Sequence, residues 1–185
     1  MMATGAAGAE AQPKLDCTTM RDITPLIAKA ECYCLNECHD ATHENLFIGD
    51  DRLALKSDAD EQLLIHITFN ETVKVSGLKF TAYNTSNLDL QTAPKYVKVF
   101  VNRPSMGFTD AEDVEPTEEF EFTEEEISNE KGVEKSVRFV KFQRVSSLSI
   151  FVEENFGGET TAIGGLRIHG VPVQGTNMDD LKKCG

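Results

Sequence analysis

Alternation of apolar and polar residues at every second position runs from residue 62 almost to the end of the chain. No other feature constrains the fold as strongly. In QLLIHITF (62–69), Leu63, Ile65, Ile67 and Phe69 fall in one phase and Gln62, Leu64, His66 and Thr68 in the other, which is the period of a strand. VKVSGLKFTA (73–82) follows, with Val73 and Val75 in one phase and Leu78, Phe80 and Ala82 in the other. The phase slips at Ser76-Gly77, as one extra residue in a β-bulge requires. KYVKVFVN (95–102) is apolar on both faces and predicts a buried strand. EFEF (119–122) predicts a short strand. SVRFVKFQ (136–143) and SLSIFVEE (147–154) flank the brief Arg144–Ser146 link and predict a hairpin. TTAIGGLRIHGVPV (160–173) closes the series. Its Gly164-Gly165 pair, like Gly157-Gly158, has neither P-loop nor dinucleotide-binding context and predicts a turn.

Helix signals are short. Thr24-Pro25 predicts an N-cap and first helical residue for a segment ending near Ala30. Thr123-Glu124-Glu125-Glu126 has the form of a capping box. Thr176 to Lys183 places acids early and lysines late, matching a helix dipole. The acid-rich stretch 109–130 predicts a solvated loop region with one short strand inside it. About seven short strands with little helix predict an all-β antiparallel sandwich.

The formal net charge of −13 would repel phosphates, and no basic patch larger than a pair such as Lys182-Lys183 offsets it. Nucleic acid is therefore excluded as an expected partner. No apolar run reaches membrane-spanning length, so no membrane association is expected. Residues 1–20 lack the basic and apolar regions of an export signal and predict a disordered tail, followed by one domain over 21–185. The expected compartment is cytoplasm or nucleus, where the five cysteines stay reduced. A monomer is expected.

ECYCLNECHDATH (31–43) concentrates Cys32, Cys34, Cys38, His39 and His43. Cys34-x3-Cys38 has zinc-ligand spacing, but Cys32-x-Cys34 is too tight and no second ligand pair exists elsewhere. Cys34, between Tyr33 and Leu35, is expected in the core, and neither metal nor cofactor is expected. Cys184, beside the chain end, is the expected reactive thiol. SDADE (57–61) carries three acids before a strand. Ser57 and Asp58 are expected to hydrogen-bond the turn there in preference to a calcium ion, since EF-hand spacing is absent. His66 and His169 lie in or at the end of strands without a nucleophile beside them, so no catalytic residues are expected.

CLNE (34–37), LKSDADEQLLI (55–65), APKYVKVFVN (93–102), RFVKFQRVSSLSIFVEENFGGETT (138–161) and GVPVQGTNMDDLKK (170–183) occur in one order. Together they resemble the PITH domain, the proteasome-interacting C-terminal domain of thioredoxin-like proteins. The resemblance implies a jelly-roll sandwich of the galactose-binding-like type and a non-catalytic module that docks on the 26S proteasome. With no tryptophan and no Cys-x-x-Cys, the chain resembles a stand-alone PITH protein, and thioredoxin chemistry does not carry over. Docking is expected through loops at one end of the sandwich and through segment 174–183. The contact candidates are Asp58, Asp60 and Glu61 in the first acidic loop, and Asn155, Phe156 and Glu159 in the loop after SLSIFVEE. Phe156 suits either a docking hot spot or a side chain folded back on the sandwich. The rival reading is a small-ligand or carbohydrate-binding sandwich, weakened by the absence of tryptophan as an aromatic platform.

Overall fold

A computed structural model describes residues 20–83 and 90–173. The expected N-terminal tail, the expected helix from Thr176, the docking segment 174–183 and Cys184 lie outside the described residues. Among the described residues nine strands are present: β1 (Arg21–Asp22), β2 (Tyr33–Leu35), β3 (Leu55–Lys56), β4 (Leu63–Ala82), β5 (Pro94–Val101), β6 (Glu118–Glu121), β7 (Val133–Ser136), β8 (Val145–Asn155) and β9 (Ala162–Pro172). Every pairing is antiparallel, and all nine strands belong to one curled sheet of path β1-β9-β4-β8-β5-β6.

The curl comes from β4. The two expected strands at 62–69 and 73–82 are one strand of 20 residues. Its first half, through Thr68, pairs with β8 and with β2; its second half, from Val73, pairs with β9 and with β7. The register with β8 shifts between Thr68 and Val73, around exposed Asn70 and Glu71. The sheet thereby folds onto itself, and both halves face one core. Leu63, Ile65 and Ile67 from the first half meet Val75, Leu78 and Phe80 from the second, together with Val97, Val99, Ile150, Ile163 and Ile168. Each fully buried aliphatic or phenyl side chain here contributes about 1.5–3 kcal/mol relative to exposure. The bulge expected at Ser76-Gly77 is present, because the register with β9 steps from Val75–Gly170 to Gly77–His169. Ser76 is the extra residue, and its hydroxyl donates to the His169 carbonyl at 3.1 Å. The bulge lets Val75 and Leu78 both point inward.

β5 is apolar on both faces for a specific reason. Val97 and Val99 enter the main core, whereas Phe100 joins Leu64, Phe151, Met106 and Ala111 in a second cluster on the opposite face. Helix α1 (Phe108–Asp113) covers that face. This corrects the expectation of a solvated loop at 109–130: Phe108, Ala111 and Val114 sit at helical spacing and pack against β5 and β8. The capping box is present on helix α2 (Glu124–Ile127), where Thr123 Oγ1 accepts from Glu126 N–H and Glu126 Oε2 accepts from Thr123 N–H.

Three further expectations are corrected. The 136–143/147–154 hairpin does not form. β7 ladders onto the second half of β4 while β8 ladders chiefly onto the first, so the link between them crosses the fold. It does so through a 3-10 turn at Phe139–Lys141, with Val140 exposed and Phe142 buried. Thr24–Ala30 is two 3-10 turns, Thr24–Leu26 and Lys29–Glu31, and Asp22 rather than Thr24 receives the free N–H of the first. Gly164-Gly165 is no turn but lies inside β9, where a Cβ on Gly164 would stand 2.5 Å from the Ala82 carbonyl oxygen.

Candidate functional site

The acidic loop 57–61 and the loop 155–161 are far apart in sequence and joined in space. Ser57 and Thr161 exchange hydrogen bonds: Ser57 N–H donates to the Thr161 carbonyl at 2.9 Å, and Thr161 N–H donates to Ser57 Oγ at 2.8 Å. The Thr161 hydroxyl donates to the Glu61 carbonyl at 2.6 Å. Both loops therefore form one rim, at the end of the sandwich where β4 begins and β8 ends.

Two asparagines organise this rim. Asn36, in the left-handed region at φ 69°, accepts from Asp58 N–H through its carbonyl and from Ala59 N–H through its side chain. Its amide donates to Asp60 Oδ1 at 2.9 Å and to the Gln62 carbonyl at 2.7 Å. Asn155 does the same for the second loop. Its amide donates to the carbonyls of Gly158 and Thr160, both at 3.0 Å, and to Thr161 Oγ1 at 3.3 Å, and its Oδ1 accepts from Gly157 N–H at 2.9 Å. Gly157-Gly158 forms the turn, as expected.

This geometry sorts the six contact candidates. Asp58 and Glu159 are exposed, Glu61 is half-buried, and none of the three carries a side-chain ion pair among the described residues. Asp60 is exposed, but its Oδ1 holds Asn36 and accepts from Gln62 N–H. It thus forms the turn that was expected of Ser57 and Asp58, while the Ser57 hydroxyl accepts from Thr161 N–H of the other loop instead. Asn155 holds its own loop and presents little to a partner. Phe156 packs against the main core with Lys95 Nζ 5.8 Å from its ring centre, so the folded-back alternative describes it. Asn36 is the positioning residue that sequence reasoning passed over. The signal was available, since asparagine tolerates the left-handed conformation and bonds local backbone.

The cysteine-histidine segment disperses. Cys34 is buried on β2, opposite Ile65, and burial pushes its thiol well above the ordinary cysteine range. Cys32 is buried too, with its thiol near the Ala28 carbonyl and accepting from Thr68 N–H. His43 Nδ1 is 2.9 Å from Glu37 Oε2. Among the described residues no three His, Cys, Asp or Glu side chains converge as metal ligands would. His66 is buried, stacked on Tyr33 at 4.4 Å, with Nε2 3.1 Å from the Met106 carbonyl and Nδ1 2.9 Å from Ser149 Oγ. Burial lowers its pKa, and it ties β4, β8 and the segment after β5 together.

The sequence pattern of the PITH domain matches residues 13–184. The chain belongs to the PITH domain family. It is 37% identical over 159 residues to Thioredoxin-like protein 1 of Schizosaccharomyces pombe, covering 85% of this chain and 53% of that one. It is 30% identical over 142 residues to PITH domain-containing protein 1 of Homo sapiens, covering 74% and 63% respectively. The chain thus spans between about half and two-thirds of these relatives' length. Among solved structures it resembles the family 32 CBM from Clostridium perfringens NanJ in complex with galactose, with TM-score 0.62 and 10% identity over 82% of this chain and 99% of that one. The CBM32-1 and CBM32-2 domains of ZmpB in complex with GalNAc give TM-score 0.62 and 11% identity over 95% and 42%. At such identity these neighbours show the fold alone, the galactose-binding-like jelly roll. No helix among the described residues is long and apolar enough to cross a membrane.

Proposed function

We propose that this PITH domain is a non-catalytic docking module that associates with the 26S proteasome in cytoplasm or nucleus, using the acidic rim as its contact surface. Membership of the family over nearly the whole chain carries the reading. The rim supports it physically: Asp58, Glu61 and Glu159 are held on a frame of backbone and asparagine hydrogen bonds, so they meet a basic surface with little ordering cost. Asp58 and Glu159 are the primary contacts, Glu61 is secondary, and Asp60, Asn155 and Phe156 act by shaping the loops. Segment 174–183 remains part of the proposed surface.

The test is retention of the purified chain on purified 26S proteasome at low and high salt. Retention at low salt is expected, weakening as the screening length falls to about 3 Å at 1 M. Asp58→Lys with Glu159→Lys should slow association while leaving the melting temperature unchanged, because rim charges mainly steer encounter. Wild-type protein that fails to bind at low salt refutes the reading, and binding unaffected by the double reversal refutes the rim.

A further inference from the structure

We infer that the turn between β7 and β8 is a second docking surface, independent of the proteasome reading, and that it takes a flexible acidic protein segment carrying apolar side chains. The turn reads Arg138-Phe139-Val140-Lys141-Phe142-Gln143-Arg144. Val140 is 81% exposed, the most of any large apolar side chain among the described residues, and Phe139 beside it is exposed as well. Single exposed apolar residues are ordinary on a protein surface, but an adjacent pair at the tip of one turn makes a patch. Three cations flank the pair, and the turn contains no acid, in a chain of net charge −13. Acids on the adjoining strands do not cancel them. Glu118 of β6 lies 3.4 Å from Arg138 Nε and neutralises that one. Glu134, the acid of β7, is bonded to His169 at 2.6 Å. Glu71, the acid of β4, is exposed at the bend, two residues before the Val73 that pairs with Val145. Among the described residues neither Lys141 nor Arg144 makes an ion pair.

The fold holds this tip out rigidly. Val137 and Phe142, on either side of it, are buried and act as its feet. Val137 N–H donates to the Ser76 carbonyl and Val75 N–H to the Phe142 carbonyl, both at 3.0 Å, so each foot is tied to β4. Within the turn, Lys141 N–H donates to the Arg138 carbonyl at 2.8 Å, and the Phe139 carbonyl accepts from Phe142 N–H at 3.0 Å and from Gln143 Nε2 at 2.7 Å. Arg138 N–H donates to Glu118 Oε2 at 3.0 Å, and the Asn102 amide donates to the Arg144 carbonyl at 2.9 Å. The backbone is thus ordered before anything binds, which lowers the cost of association. The position is distinct from the acidic rim: β8 starts beside this turn at Val145 and reaches the rim only at Asn155, at the other end of the sandwich.

Charge and shape set the partner. An apolar tip between uncompensated cations is matched by apolar side chains between carboxylates. The turn is convex, so a flexible segment can wrap it and bring carboxylates to Lys141 and Arg144 while covering Phe139 and Val140. An anionic bilayer offers the same two chemistries but spreads its charge over the whole facing surface, where it would repel the acids of the chain. A short segment feels mainly the charges within a screening length of about 8 Å at physiological salt, and those near the tip are cations. Residues 174–185 of the chain itself, with Asp179 and Asp180, are the competing occupant, because Val173 N–H donates to the Thr72 carbonyl at this same end.

Fluorescence anisotropy of the full chain with a labelled peptide of glutamates interrupted by Leu-Phe pairs tests the surface. The peptide should bind at low salt and more weakly at high salt. Replacing its Leu and Phe by Ser should weaken it about tenfold or more, the worth of one buried apolar side chain, and replacing Glu by Lys should abolish binding. Val140→Ser should weaken the peptide about tenfold, and Lys141→Glu with Arg144→Glu about tenfold or more, both at unchanged melting temperature because the side chains are exposed. Asp58→Lys with Glu159→Lys should leave peptide affinity within about twofold, since the rim lies beyond the screening length, so this surface and the rim fail or hold separately. Failure of the wild type to bind, equal binding of the Ser or Lys peptide, affinity unchanged in Val140→Ser, or a clear drop in its melting temperature overturns the inference. Capture by phosphatidylserine vesicles without peptide binding assigns a membrane instead, and peptide binding that appears only in Asp179→Lys with Asp180→Lys assigns the chain's own segment; either overturns it.

Discussion

Asn155→Ala separates a residue that contacts a partner from one that shapes the contacting loop. The native amide donates toward three acceptors with two N–H groups, and its oxygen accepts one backbone N–H. Truncation therefore removes about three full hydrogen bonds, each contributing on the order of 1 kcal/mol. The residue is half-buried, so water recovers part of the loss at the Gly158 and Thr160 carbonyls. The expected destabilisation is about 2–3 kcal/mol. For a domain of this size that corresponds to a fall in melting temperature of roughly 4–12 °C. The effect should also spread. Thr161 bridges the two loops, so amide exchange should accelerate at Thr161 and Gly157 and, through the Glu61 carbonyl, in the acidic loop. Guanidinium denaturation gives the free energy, and hydrogen exchange gives the location. Exposed Glu159→Ala, four residues on, is the control and should stay within about 0.5 kcal/mol of wild type. If Asn155→Ala is equally silent, the asparagine frame does not hold the rim, and Asn155 returns to the list of direct contacts.

Two further outcomes follow from the buried parts of the fold. The His66 pKa is lowered by burial, so as pH falls through about 6.5 the unfolded chain takes up a proton before the folded one. Stability should therefore decline below that pH, with a slope of up to about 1.4 kcal/mol per pH unit from this group, until the folded histidine also titrates; His66→Gln should remove that component, and an unchanged slope would refute the assignment. Gly170→Ala places a methyl group inside the Lys74 carbonyl at the bulge, and chemical denaturation should show a loss of about 3 kcal/mol or more, whereas a loss under about 1 kcal/mol would mean the bulge gives way freely.

Local physics was legible in the sequence wherever one segment decided its own state. The alternation in 62–82 gave both halves of β4, the phase slip gave the bulge, and Thr123 to Glu126 gave the cap of α2. Legibility failed where a distant partner decided. SVRFVKFQ carries enough apolar residues to suggest a strand, yet only Val137 and Phe142 are buried, because its flanks belong to different halves of the sheet. Helix α1 was hidden by its acids: Asp110, Glu112 and Asp113 signal solvent, while Phe108 and Ala111 show their use only once Phe100 and Phe151 are known to point out of the core. The site divides in the same way. The acids of SDADE were visible as charge, but their rigidity depends on Asn36 and Thr161, which no spacing rule connects to them.

The bend in β4 is the step that links the fold to the acidic rim. Residue 63 starts the strand beneath the acidic rim, and residue 82 returns to pair with Ile163, just beyond the rim's Thr161. Twenty residues of one strand thus leave one end of the sandwich, cross between its layers at Asn70-Glu71, and come back to the same end. Asp58 to Glu61 precede the first pass, and Lys79 and Thr81 close the second. The acidic rim therefore stands where the two passes of a single strand begin and end, and those passes are separated by the core rather than by sequence. The strand presents different faces in its two halves, with Ser76 supplying the extra residue that resets the phase between Val75 and Leu78. Removing Ser76 would shift Val75 and everything before it by one position against β9, and a one-residue slip turns inward side chains outward. The cost would fall on Val73 and Val75 together, two residues now fully buried.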